Sequence, residues 1–273
     1  MGHALAVRLL EGGHQVVVWN RSKGKADGLV AAGATEAHTV ADAVRAADVV
    51  ITMLSNDDAI RSTAFGDAGL RVSIGAETVY VDSSTVSPRL SAELAESFPH
   101  FVAMPILGNP EAVLSGRAIL LAGGDAADVD RISPVLQSLS STVRRYDQAS
   151  LAGSAKLTSN LLLLAGVAAL AEAFAVGRAG GLSDDALRDL LGESPLVAPS
   201  LKNRFEAVLT GTHESWWTTT LGAKDAGLAV DLAATGGVDL PVAVAVRDDY
   251  GKAAAAGYAE QDISAIGHLY GLP

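Results

Sequence analysis

A lysine and an asparagine four residues apart, at the start of a long uncharged run, are the residues of this chain best placed for chemistry. The stretch reads Gly153-Ser154-Ala155-Lys156-Leu157-Thr158-Ser159-Asn160. On a helix Lys156 and Asn160 share a face, roughly 6 Å apart. Gly153 lies one turn earlier on that face and lets another backbone or a ligand come close. The run that follows, Leu161 to Ala171, carries no charge, and a helix apolar all round is buried. A lysine just before it is then partly buried, and must be paired, lose its charge or serve chemistry. A snorkelling lysine at a helix start is the plainer alternative.

Composition narrows the chemistry. The chain has 273 residues, 49% hydrophobic and 19% charged, which suits one large domain or two ordinary ones with a sizeable core. A formal charge of −11 and a pI near 4.9 argue against nucleic acid and anionic membrane as partners, since both require basic patches. The absence of cysteine excludes disulfides, thiolate nucleophiles and Cys-ligated metals. The six histidines (His3, His14, His38, His100, His213, His268) are scattered, with no HExxH pair, so no metal is expected. No basic n-region marks a signal peptide. The uncharged run Leu161 to Ala171 is too short to span a bilayer. A cytoplasmic protein is expected.

The elements that must position these residues follow from periodicity. Residues 1–11 read as an amphipathic helix closed by Gly12-Gly13, and Gln15 to Trp19 as a buried strand. Helix, glycine turn, strand and polar loop are the second half of a βαβ unit. Gly2 is placed as the third glycine of a G-x-G-x-x-G fingerprint, the one that allows close helix–strand packing; a chance glycine is the alternative. The expectation is therefore a longer natural chain, with a short apolar strand and Gly-x-Gly-x before Met1. Helices follow at Lys23 to Ala32, Asp42 to Ala46 and Asp57 to Phe65, and Ser87-Pro88 opens another with cap chemistry. Ala126 to Leu139 is also helical. Strands fall at Val49 to Leu54, Thr78 to Asp82, His100 to Met104, Ala118 to Ala122 and Thr142 to Tyr146. Strands alternating with helices mean a doubly wound parallel α/β sheet of Rossmann type. Beyond Ser150 the strand signals stop. The expected division is a dinucleotide-binding domain at 1–149, its first strand missing, and an all-helical domain at 150–273.

In such a sheet ligands bind beyond the carboxyl ends of the strands. The loops there are Asn20-Arg21-Ser22, Leu54-Ser55-Asn56, Asp82-Ser83-Ser84-Thr85 and Pro105 to Pro110; each alone reads equally as an ordinary turn with a helix cap. An NAD site places an acid in the first of these loops, to bond the ribose 2′-hydroxyl. Here that loop holds Arg21, with Lys25 a turn on, so a 2′-phosphate is favoured. A solvated surface arginine is the alternative.

Four stretches together resemble the β-hydroxyacid dehydrogenase family: Met1-Gly2 through Asn20-Arg21, Val81 to Pro88, Gly153 to Asn160, and Lys224-Asp225-Ala226-Gly227-Leu228-Ala229. The resemblance covers essentially the whole chain. It implies a Rossmann domain joined through a long helix to a helical domain, a homodimer, and a small-molecule substrate. It implies Lys156 as the catalytic residue with Asn160 near the substrate, Lys224 and Asp225 lining the cleft, and Thr85 near the nicotinamide. A lysine suits carbonyl reduction, because an ammonium can stabilise the charge that grows on oxygen and supply a proton. Cofactor contacts are then expected from Gly2, Asn20, Arg21, Ser22, Met53, Leu54, Ser55, Thr85 and Lys224, with NADP(H) preferred and NAD(H) possible.

One stretch departs from the family. A Ser-Gly-Gly segment that holds the substrate carboxylate is replaced here by Leu107-Gly108-Asn109. Leucine cannot hydrogen-bond an anion, which puts a simple 3-hydroxy acid in doubt. Trp217 and its neighbour Trp216 either line a more apolar pocket, next to Leu107, Gly108, Asn109 and Asp225, or pack in the core. Imine reduction and a non-catalytic scaffold are the competing readings. Lys156 speaks against the first, since imine reductases commonly carry Asp or Tyr at that position, and its retention with Asn160 speaks against the second.

Overall fold

The structure, a computed structural model, describes residues 1–212 and 216–273; His213 lies outside the described residues. The chain divides into two compact units, Met1–Lys156 and Leu157–Pro273.

Unit 1 runs α1 (Gly2–Glu11), β1 (Val17–Val18), α2 (Asp27–Ala31), β2 (Thr35–Glu36), α3 (Val40–Val44), β3 (Val49–Thr52), α4 (Asp57–Phe65), α5 (Leu70–Ser73) and β4 (Val79–Asp82). It continues with α6 (Pro88–Ser97), β5 (Phe101–Ala103), β6 (Ile106–Leu107), α7 (Pro110–Leu114), β7 (Ile119–Gly124), α8 (Ala126–Arg131), α9 (Ser133–Leu139) and β8 (Thr142–Tyr146), and ends in the first turns of α10 (Ala149–Ala179). The strands form two sheets. β1 and β2 pair in parallel; the second sheet has the order β3-β4-β5-β7-β6, with β8 also on β7.

β4 shows why this segment is a strand. All four residues are buried, as expected where helices cover both faces. Val79 and Val81 point into a cluster with Leu5, Val102, Leu120 and Leu136, while Tyr80 points into the other, with Ile60, Leu90, Phe98 and Leu121. Tyr80 meets Phe98 and Phe101 edge to face, at centroid distances of 4.9 and 5.2 Å.

Three expectations change. The sheet is parallel from β3 to β5 and between β7 and β8, but β7 runs antiparallel to β5 and β6. β6 and β7 are joined by a short link holding only α7, and a parallel return requires a longer crossover. β5 and β6 pair with successive parts of β7, so the loop expected after Met104 holds a strand of its own. The helix expected over Lys23 to Ala32 is shortened to α2, because Gly24 adopts a left-handed φ of 77°.

The division after Lys156 lies two turns inside α10, and packing explains it. Ala149 and Ala152 belong to the core of unit 1. A Cβ on Gly123 would fall 2.5 Å from Gln148 O and 2.8 Å from Ala152 Cβ, so only glycine lets β7 and the start of α10 approach this closely.

Unit 2 contains the rest of α10, then α11 (Asp184–Leu191), α12 (Pro199–Thr210), α13 (Thr219–Thr235), α14 (Pro241–Ala253), a π turn (Ala254–Tyr258) and a 3₁₀ segment (Ile263–Tyr270). By length and composition α10 could cross a membrane, although its uncharged run alone is too short. Leu164, Val167, Leu170 and Phe174 on it are buried among Phe205, Val208, Tyr250, Ile263 and Ile266, which makes it the core helix of this unit. Arg204 forms a buried ion pair with Asp262 and lies over the Trp216 ring, 4.0 Å from its centroid.

Candidate active site

The carboxyl ends of β1, β3 and β4 carry the first three polar loops. After β1, the Asn20 side chain accepts a hydrogen bond from Ser22 N at 3.0 Å, a local turn that shapes the loop. Asn20, Arg21 and Ser22 are all exposed. Arg21 forms no ion pair among the described residues. The first turn of α1 has no side-chain cap, and Gly2 sits against Met53. A Cβ on Gly2 would meet the Met53 side chain at 3.6 Å, an ordinary contact, so packing alone does not demand glycine there.

The loops after β3 and β4 are tied together. Leu54 N donates to Ser84 Oγ at 2.8 Å. Ser87 N donates to Asp57 Oδ1 at 2.9 Å and its hydroxyl to Asp57 Oδ2, while Ser87 Oγ caps α6 at Leu90 N. Asp57, the first residue of α4, thereby links two helix starts. Uncapped amides at α1, a free guanidinium and hydroxyl-bearing loops on the same strand ends suit the phosphates and ribose of a dinucleotide.

Beyond β4 a small pocket is lined by Asp82, Ser84, Thr85, Ala103, Pro105, Gly153 and Lys156, among others. Lys156 is half-buried, and its Nζ donates to Ile106 O at 2.7 Å. That bond aims the amine from α10 toward the end of β6. A Cβ on Gly153 would meet Pro88 and Ser91 at 3.6 Å, ordinary contacts, so this glycine too is not forced by packing. The bond from Lys156 ends one residue before Leu107-Gly108-Asn109. Leu107 pairs with Ile119, Gly108 has a φ of 144°, and Asn109 Oδ1 accepts from Ala112 N at 2.8 Å as the cap of α7. The side-chain oxygen of Asn109 is thus committed to the helix.

The surroundings of Asp82 are not legible in the sequence. It is fully buried, yet its Oδ1 accepts from Thr52 Oγ1 at 2.7 Å and from Ser84 N at 3.2 Å. Burial pushes its carboxyl above the usual range, and hydrogen bonds from Ser84 and Thr52 pull the other way. The Tyr80 hydroxyl, 3.0 Å from Thr52 Oγ1, is pushed well above the usual phenol range by burial first and by the Asp82 charge second. The only sequence signal for this network is an acid ending an apolar strand.

Within unit 2, Asn160 is buried and its Nδ2 donates to Asp225 Oδ2 at 2.8 Å. Lys224 Nζ lies 2.8 Å from Asp225 Oδ1, an ion pair rather than an aligned hydrogen bond. Asn160, Lys224 and Asp225, all singled out from the sequence, are therefore neighbours. Trp217 is buried in the helical core, and its carbonyl accepts from Ile263 N. Trp216 is the more exposed of the pair.

Comparison with known proteins identifies the family. Residues 1–147 match the family model for the NAD binding domain of 6-phosphogluconate dehydrogenase, and residues 152–270 the one for the NAD-binding domain of NADP-dependent 3-hydroxyisobutyrate dehydrogenase. The chain is 31% identical to 3-sulfolactaldehyde reductase of Escherichia coli, over 97% of its own length and 91% of the relative's. It is 29% identical to glyoxylate/succinic semialdehyde reductase 1 of Arabidopsis thaliana, over 97% and 93%. The solved 3-hydroxyisobutyrate dehydrogenase of Mycobacterium tuberculosis superposes with a TM-score of 0.81 at 28% identity, covering 98% and 95% of the two chains. The chain is thus an NAD(P)-dependent oxidoreductase and belongs to the β-hydroxyacid dehydrogenase family.

Proposed function

We propose that the protein reduces a small carbonyl compound, or oxidises the corresponding alcohol, with NADPH preferred over NADH and Lys156 as general acid and base. The observation that carries this reading is the Lys156 amine, held on Ile106 O in a pocket it shares with Asp82, Ser84 and Thr85. When bound, the reduced cofactor supplies hydride to the carbonyl carbon. Negative charge then grows on the carbonyl oxygen, where the Lys156 ammonium stabilises it and delivers a proton from Nζ. In the reverse direction the neutral amine takes the hydroxyl proton. Asn160, its amide fixed by Asp225, orients the substrate. In the same proposal residues 1–149 bind the dinucleotide and 150–273 supply substrate contacts and the homodimer interface.

Leu107 shapes the substrate range. It puts an apolar side chain where an anion would need a donor, and the oxygen of Asn109 is committed to α7. This favours a substrate without a carboxylate at that point, either an uncharged aldehyde or an imine. Lysine, the better acid for an alkoxide, favours the aldehyde. The test is NADPH oxidation across small aldehydes, keto acids and imines. On the best substrate, Lys156→Ala should lower kcat at least about a hundredfold while NADPH affinity stays near normal, and Lys156→Arg should not rescue it, since arginine holds its proton near neutral pH. Wild-type turnover in the alanine variant would remove Lys156 from the mechanism.

A further inference from the structure

The Asp82 carboxylate lies at the junction of the two loops assigned to the dinucleotide, without touching either loop's outer surface. Its partners all give hydrogen bonds and take none back. Thr52 Oγ1 and Ser84 N donate to Oδ1. Thr52 has one proton, which goes to Asp82, so the Tyr80 hydroxyl must donate to Thr52 Oγ1. Ser84, whose backbone N is held by Asp82, accepts on its hydroxyl oxygen from Leu54 N, which ties the two loops together. The Asp82 carboxylate therefore fixes the direction of the hydroxyl bonds from Tyr80 through Thr52 and anchors the Ser84 backbone, which in turn receives Leu54 N. Among the described residues Asp82 has no ion pair to offset its burial. An apolar side chain of similar volume would pack there at lower cost, which points to a use beyond packing.

We infer that Asp82 is a positioning residue that, by ordering these donors, holds the loops Met53–Ser55 and Ser83–Thr85 in the arrangement that receives the dinucleotide. This rests on the cofactor assignment above. Asp82→Asn keeps the shape and one acceptor oxygen for Thr52 Oγ1 and Ser84 N, but removes the charge that strengthens both bonds. Thr52→Val removes the hydroxyl that relays between Tyr80 and Asp82, whereas Thr52→Ser keeps it.

The test is the dissociation constant for NADPH, by fluorescence titration, in the wild type and the three variants, together with amide hydrogen exchange at Leu54 and Ser84. Asp82→Asn and Thr52→Val should each weaken NADPH at least about tenfold, as expected for hydrogen bonds to a charged group. Both should raise KM for NADPH more than they lower kcat, and both should speed exchange at the two amides. Thr52→Ser should behave like the wild type. Binding and exchange unchanged in Asp82→Asn would overturn the proposal. Should that variant not fold, equal binding by Thr52→Val and Thr52→Ser would overturn it in the same way. A wild type that ignores NADPH, with exchange still faster in Asp82→Asn, would sink the cofactor assignment while upholding the positioning role.

Discussion

At the scale of single residues, charge decides the outcome at two positions. Arg21 is exposed, unpaired and held next to an Asn20 turn. Arg21→Ala should weaken NADPH by about 1.5–3 kcal/mol, the worth of a hydrogen bond to a charged group, and leave NADH nearly unchanged. Equal losses for both cofactors would remove Arg21 from 2′-phosphate recognition. Asp82 gives a prediction about stability instead. Its folded-state carboxyl sits above the ordinary value of 3.8, because burial outweighs its hydrogen bonds. Between 3.8 and the raised value the folded state holds more protons than the unfolded one, so rising pH favours unfolding. The melting temperature of the wild type relative to Asp82→Asn should therefore fall as pH rises through that window, then level off. A relative melting temperature that rises over the same window would show the carboxylate to be net stabilised by its donors.

At the scale of elements, the start of α10 is seated by close approach to β7. Gly123→Ala would place a methyl 2.5 Å from Gln148 O and 2.8 Å from Ala152 Cβ. The backbone oxygen cannot turn aside, so about 1–3 kcal/mol of destabilisation is expected, the usual cost of overpacking. Because Lys156 is on the helix being displaced, kcat should fall along with the melting temperature. A stable variant with full activity would mean that α10 can shift without disturbing its lysine. A similar link joins α4 to α6, where the Asp57 carboxylate receives both bonds from Ser87. That loop-to-loop tie and the one through Ser84 make this edge of unit 1 a cross-braced surface rather than a row of independent turns.

At the scale of the whole molecule, the proposed homodimer makes a prediction about an exposed face of α10. Leu162 is 78% exposed and Val176 72%, and Ala169 and Ala173 between them at helical spacing are exposed as well. Small residues flanked by large apolar ones suit a second helix at short distance, and exposing them to water is unfavourable. A homodimer through this face is expected. Sedimentation at micromolar concentration should give a dimer, and Leu162→Glu should shift it toward monomer. A monodisperse wild-type monomer would count against the interface.

The sequence by itself determined the class of the fold and the residue types at the strand ends. Hydrophobic periodicity is local, and it separates strands from helices wherever a segment is buried on a face that matches its own repeat. It was enough to pick out β4, β8, the Ser87-Pro88 helix start and the apolar α10, and spacing within one helix was enough to single out Lys156 and Asn160. Tertiary structure alone decided what depends on partners distant in the chain. The reversal of β7 follows from how short its connection to β6 is in space, which periodicity does not encode. Trp217 went to the core of unit 2 because helices from other parts of the chain enclose it. The Asp82 network exists because the parallel register of β3 and β4 sets Thr52 opposite Asp82. A one-residue slip would turn that hydroxyl to the other face and leave the carboxylate buried without its donor.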